Sequence, residues 1–190
     1  MRVAFVIAAA SALFTAQSVD DQALQAARNL GEAGDFRQLV ATCSTHLPGF
    51  RERLRPGGTV IVDVRVTGPL GDTALAAAEA KRLYKPFELT ESLRSWHVTV
   101  LATPRAQRSQ FVQVQSVALK STVTYEAIGA TSFIPGPPVG GTVDGLARFE
   151  GEAARRIVGA GDLQIAVVLP EGERSCDVVT KDLHRIGVVE

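Results

Sequence analysis

A strictly alternating segment constrains the fold more than any other feature of the chain. Over residues 60–66 every second residue is valine, and Asp63 and Arg65 stand between the later valines. Successive side chains of a β-strand point to opposite faces of its sheet, so the pattern predicts a strand with one buried face and one partly solvated face. A strand of this kind is typical of antiparallel sheets, because strands of parallel sheets are usually buried on both faces.

The rest of the chain shows both sheet and helix periodicity. Alternation predicts further strands over residues 96–101, 111–119, 121–128, 163–169 and 174–179. Apolar spacings of three and four predict helices over 73–85 and 151–160. Strands joined by short turns, with helices on one face or at one end, predict an α+β fold built on a mostly antiparallel β-sheet or sandwich.

The N-terminal region, residues 20–56, is predicted to be helical and to pack on that sheet. Gly31 and Gly34 divide it into two helices that form a hairpin. The second helix gathers apolar residues on one stripe: Phe36, Leu39, Val40, Cys43 and Leu47. Because this stripe is expected to face the core, Cys43 is predicted to point inward. Residues 19–190 are predicted to form a single domain.

The first eighteen residues have the layout of a secretory signal peptide. Arg2 is followed by an uncharged, apolar run over residues 3–16, and Ala16 and Ser18 supply the small residues of a cleavage site. The run is shorter than the roughly twenty residues that a membrane-spanning helix needs. We therefore predict that residues 1–18 are removed and that the mature protein begins at Val19. It is expected to be periplasmic or secreted and to have no integral membrane span.

The chain has two cysteines, Cys43 and Cys176. In an exported protein two cysteines most simply form one disulfide bond, and this is the prediction here. The alternatives are two buried thiols, or one structural thiol together with one reactive thiol.

Charge and motif content argue against several classes of protein. With 20 basic and 20 acidic residues the chain lacks the basic excess of a nucleic-acid-binding protein. His46, His97 and His184 do not show the H-E-x-x-H spacing or another close pairing of metal ligands. Residues 68–71 supply only part of the dinucleotide-binding fingerprint, and G-x-S-x-G is not present. No metal, cofactor or nucleic acid is therefore predicted.

One region of the chain is a candidate for function, and no catalytic residue is predicted. Residues 129–145 are predicted to be the longest irregular stretch, and Phe133 and Ile134 lie in it just ahead of a proline- and glycine-rich segment. This pair either packs back on the core or contacts a partner. His97 shares the polar face of its strand with Thr99 and is expected to be exposed.

The leading functional hypothesis is an exported, disulfide-stabilised binding or interaction module. Its partner would be a protein or a small ligand, bound through a sheet face or through the 129–145 loop. One alternative is an exported hydrolase whose site is assembled from distant residues, such as His97 with a serine and an acid. A structural accessory subunit is the other alternative.

Overall fold

A computed structural model describes residues 19–45, 60–106 and 111–189 of the protein. The predicted signal peptide and His46 lie outside these residues. The described part contains a short 3₁₀ helix (Arg37–Leu39) and five α-helices: α1 (Asp21–Ala33), α2 (Pro69–Arg82), α3 (Glu91–Arg94), α4 (Gly151–Gly159) and α5 (Thr180–Arg185). Its strands are β1 (Ala41–Ser44), β2 (Val60–Thr67), β3 (His97–Ala106), β4 (Val112–Gln113), β5 (Ser116–Ser121), β6 (Ala127–Gly129), β7 (Ser132–Pro135), β8 (Thr142–Val143), β9 (Gly145–Glu150), β10 (Leu163–Leu169) and β11 (Gly172–Val178).

The strands form two antiparallel sheets and one small parallel pair, which confirms the predicted α+β class. The first sheet has the order β1-β2-β3-β9-β7, the second has the order β11-β10-β5-β6, and β4 pairs with β8. A single core cluster contains inward-facing residues of both sheets, including Val62, Phe149, Leu119 and Ile165. The alternating valines of β2 are buried as predicted, because they line the core side of the first sheet.

Within the described residues the second helix of the predicted hairpin is wrong, because residues 41–44 form strand β1. The remainder of the predicted helical region, residues 46–56, lies outside the described residues. Strand β1 pairs antiparallel with β2 and sets Cys43 opposite Val64. Ala41 is buried and Cys43 is half-buried, so the inward positions follow a period of two. The prediction that Cys43 points towards the core is nevertheless correct. Hydrogen bonds from β2, which lies far along the chain, replace those of a helix.

Cys43 and Cys176 form the predicted disulfide bond, which spans 133 residues of sequence. Cys43 lies in β1, the outermost strand on one side of the first sheet, and Cys176 lies in β11, the outermost strand on one side of the second sheet. The bond therefore joins the two sheets along one side of the core.

Helix α1 packs against α2 instead of against a hairpin partner. It continues through Gly31, which was expected to break it, and it is capped by Gly34 in the left-handed conformation at φ 79°. Gly31 is required by the close approach of the two helices. A Cβ atom at this position would lie 2.1 Å from the backbone oxygen of Ala74.

Substitution Gly31→Ala is expected to lower the free energy of unfolding by about 3 kcal/mol, because the added methyl group meets backbone that cannot rotate away. Gly159 is the matched control, since it is also helical and a Cβ atom there would meet nothing within 4 Å in the described structure. Gly159→Ala should leave stability unchanged or raise it by about 0.5–1 kcal/mol. Urea denaturation of the two variants checks the contrast, and equal midpoints would contradict this helix packing.

Helix α2 begins at Pro69, four residues before the predicted start at residue 73, and Gly68 is its N-cap. Pro69 occupies the first helical position, where its missing N–H group costs no hydrogen bond. This early start places Asp72 in the first turn of the helix, beside the face of the first sheet that points away from the core.

The region 129–145 is more regular than predicted. It contains β7, which pairs with β9 and is the outermost strand of the first sheet on the side away from β1. Pro135 ends β7, consistent with the confinement of proline to sheet edges. None of the helices within the described residues is long and apolar enough to cross a membrane.

Candidate functional site

His97 is fully buried, so its predicted exposure is wrong. The first turn of α2 and the segment around Ser95 cover the end of the sheet where it lies. Its Nε2 atom lies 3.0 Å from a carboxylate oxygen of Asp72, and its Nδ1 atom lies 2.8 Å from the carbonyl oxygen of Ser95 and 2.9 Å from the guanidinium of Arg148. Because an ionised carboxylate only accepts, Nε2 donates to Asp72.

Asp72 is the centre of a polar cluster formed by Asp72, His97, Thr67 and Thr99, here called the Asp72 cluster. Its carboxylate accepts hydrogen bonds from His97, from the hydroxyl of Thr67 and, at 2.6 Å, from the hydroxyl of Thr99. Burial raises the pKa of Asp72, but the hydrogen bonds from these three side chains outweigh it and hold the pKa below its ordinary value. Asp72 is therefore a carboxylate at neutral pH.

This geometry gives the hydrolase hypothesis no support. A histidine acting as general base needs a ring nitrogen free to take a proton from a nucleophile. In His97 both nitrogens already have partners, and the threonine hydroxyls of the cluster donate to Asp72. Within the described residues no serine hydroxyl forms a hydrogen bond with His97. The Asp72 cluster instead ties α2 to the outer face of the first sheet, meaning the face that points away from the core.

Beside the cluster, two adjoining pockets open on this outer face. The apolar pocket, of about 260 Å³, is lined by Asp72, Thr67 and Thr99 and by the apolar side chains of Leu75, Leu101 and Leu146. The polar pocket, of about 330 Å³, includes Ser44, Asp63, Thr103 and Arg105. Arg65 and Leu101 line both pockets and stand between them.

Strand register explains why these residues meet. Arg65 is opposite Leu101, Leu101 is opposite Leu146, and Leu146 is opposite Ile134. Directly opposed residues share one face of an antiparallel sheet and lie about 4.5–5.5 Å apart at their Cβ atoms. Arg65, Leu101, Leu146 and Ile134 therefore form one row across four strands, here called the cross-strand row. In this row Leu146 is 40% exposed and Ile134 is 59% exposed.

The acidic groups of this face already have protein partners, whereas Arg65 does not. Asp63 accepts a hydrogen bond of 2.7 Å from the hydroxyl of Ser44 and forms an ion pair with Arg105. Asp72 accepts from three side chains, as described above. Arg65 is exposed, and within the described residues its guanidinium forms no hydrogen bond or ion pair. The face therefore presents a guanidinium with free hydrogen-bond donors next to apolar side chains.

The two residues predicted to contact a partner, Phe133 and Ile134, point to opposite faces of β7. Phe133 is half-buried and packs against the core, whereas Ile134 is exposed in the cross-strand row. Partner binding by this pair stays a prediction. Sequence patterns did not point to Arg65 or Leu146 as site residues. Leu101 could have been singled out from the sequence. It is an apolar residue on the otherwise polar face of its strand, which also carries His97 and Thr99.

Within residues 19–45, 60–106 and 111–189, no three His, Cys, Asp or Glu side chains come together as a metal site would require. Comparisons with protein-family models, with curated proteins and with solved structures found no match for this chain.

Proposed function

We propose that the protein is an exported, disulfide-stabilised binding module that holds its ligand on the outer face of the first sheet. The observation that carries this proposal is the cross-strand row. It sets exposed apolar side chains beside the unpaired Arg65, at the junction of two pockets. Small-molecule sites combine mostly apolar walls with a few polar groups that fix orientation.

Export is supported by the disulfide bond together with the signal-peptide pattern of residues 1–18. Disulfides form and persist in oxidising compartments and are rare in the cytosol. The bond also fixes β1, which contributes Ser44 to the polar pocket, to the second sheet. An exported, oxidising location would therefore preserve the bond that holds this side of the proposed binding face in place.

Binding by the face is favoured over strand addition at the neighbouring edge. Strand β7 has only four residues, and Pro135 at its end has no N–H group to offer an added strand. An incoming peptide would gain few backbone hydrogen bonds there. By contrast, Leu146 and Ile134 present continuous apolar surface on the face itself.

Native mass spectrometry of protein purified without reductant or denaturant tests the proposal. We expect the wild type to carry a retained ligand and Leu146→Asp to lose it, because covering the new carboxylate with apolar ligand groups would cost desolvation free energy. Val123→Asp is the control, since Val123 is 61% exposed and lies between β5 and β6, away from the row. It should keep the ligand. If all three proteins retain the ligand equally, or if the wild type carries no ligand, the proposal that the outer face binds a ligand is contradicted.

A further inference from the structure

The chemistry of the face allows the ligand class to be named, on the basis of the function proposed above. We infer that the ligand is a small amphiphilic carboxylate, with its anionic head on Arg65 and its apolar tail in the apolar pocket. The inference depends on three features of the site: the free guanidinium, the size of the pocket and the state of Asp72.

The head group is selected by charge. Arg65 is the one charged group of the cross-strand row, and no described residue forms a hydrogen bond or an ion pair with its guanidinium. A guanidinium matches a carboxylate with two parallel hydrogen bonds, which a point charge such as lysine does not reproduce. The hydroxyl of Thr103 lies in the adjoining polar pocket and can donate a hydrogen bond to the head.

The tail is selected by the walls and by the volume of the apolar pocket. Leu75 from α2 lies on one side, and Leu101 and Leu146 from the sheet lie on the other. A pocket of about 260 Å³ is at the small end of the range of ligand sites, so we expect it to take a short chain.

The orientation follows from the Asp72 cluster. Asp72 lines the apolar pocket beside the Thr67–Thr99 pair, which is two residues along the strands from the Arg65–Leu101 pair. It is ionised, and its hydrogen bonds are supplied by His97, Thr67 and Thr99. A second anion placed there would be repelled, so the head stays at Arg65 and the tail points towards the cluster. A cationic head would be repelled by Arg65, and at the other site the hydrogen-bonding capacity of Asp72 is already used by His97, Thr67 and Thr99.

Calorimetric titration with octanoate tests the inference. Octanoate should bind the wild type, whereas acetate, which has no tail, and octylamine, which has the opposite charge, should not. Arg65→Gln should weaken octanoate binding about ten-fold or more, since it removes a charged hydrogen-bond donor. The control Arg82→Gln should not change the affinity, because Arg82 lies at the end of α2 and is paired with Glu79. Leu146→Asp should abolish binding while its thermal unfolding stays like that of the wild type.

Three results would overturn the inference. One is octylamine binding as tightly as octanoate, and another is unchanged octanoate affinity in Arg65→Gln. The third is a wild-type dimer, detected by sedimentation, that dissociates in Leu146→Asp, because a second copy would then be the occupant. A different outcome separates the two proposals. If octanoate does not bind the wild type, but the ligand retained in native mass spectrometry is absent from Leu146→Asp, then the inferred ligand class is wrong and binding by the face is still supported.

Discussion

Reduction of the disulfide bond should lower the free energy of unfolding by about 5 kcal/mol. Cross-linking restricts the unfolded chain, and the chain-entropy model gives about this value for a loop of 133 residues. Small domains have a total stability of only about 5–15 kcal/mol, so the reduced protein is expected to be close to unfolding. Guanidinium denaturation with and without a phosphine reductant measures the loss.

The Cys43→Ala variant separates the covalent bond from side-chain packing. It has no disulfide, so reductant should leave its unfolding curve unchanged while shifting that of the wild type. Cys43 is the better position for this control, because it is half-buried and Cys176 is only 2% exposed. A reductant shift of less than about 1 kcal/mol in the wild type would show that the bond contributes little to folding.

The same bond illustrates how far sequence reasoning reaches in this protein. Pairing of Cys43 with Cys176 and the inward direction of Cys43 were both predictable, since two cysteines and a local apolar pattern suffice. The strand that holds Cys43 was not predictable. Apolar residues between positions 36 and 47 also fit a helical stripe, and the hydrogen bonds that decide the matter come from β2. Pairing between segments that are separated in the sequence leaves no local periodicity to detect.

Burial of His97 has a similar physical origin. Alternation in β3 correctly separates the core face from the outer face, but it does not show that a helix covers one end of the outer face. The cover exists because α2 begins at Pro69, so that Asp72 reaches His97 and Thr99. The glycine and proline residues of this segment favour a turn when only neighbouring residues are considered. Packing of the segment against the sheet makes it helical instead.

The cross-strand row is the least predictable part of the candidate site. Arg65, Leu101, Leu146 and Ile134 come from four strands, and their meeting depends on three separate registers. A shift of one residue in any pairing would move a member to the other face. Each residue alone looks ordinary in the sequence, and only the combination produces an exposed apolar surface beside a free cation.

Substitution Asp72→Asn should destabilise the protein by about 3 kcal/mol at pH 7. The change removes the negative charge that accepts hydrogen bonds from His97 and the two threonines. It leaves a fully buried histidine beside a neutral amide. Removing one partner of a buried, hydrogen-bonded pair typically costs about 3–5 kcal/mol. Asp72 keeps 16% of its side-chain surface exposed, which places the expected loss at the lower end.

The effect should depend on pH in a defined direction. Because the folded-state pKa of Asp72 lies below its ordinary value of 3.8, the stability that its charge contributes is fully present above about pH 4. It is lost as the pH falls further, through the folded-state pKa. Asparagine does not titrate, so the difference in stability between wild type and Asp72→Asn should narrow in acid. Urea denaturation series at pH 7 and at pH 3 measure this difference.

Asp162 provides the matched control. Hydrogen bonds from the backbone and side chain of Thr180 also lower its pKa, but this carboxylate is open to solvent, which weakens what the charge contributes. Asp162→Asn should therefore cost much less than Asp72→Asn at pH 7. If the two variants are equally stable, or if the Asp72→Asn difference is the same at both pH values, the Asp72 cluster does not hold α2 to the sheet through its charge.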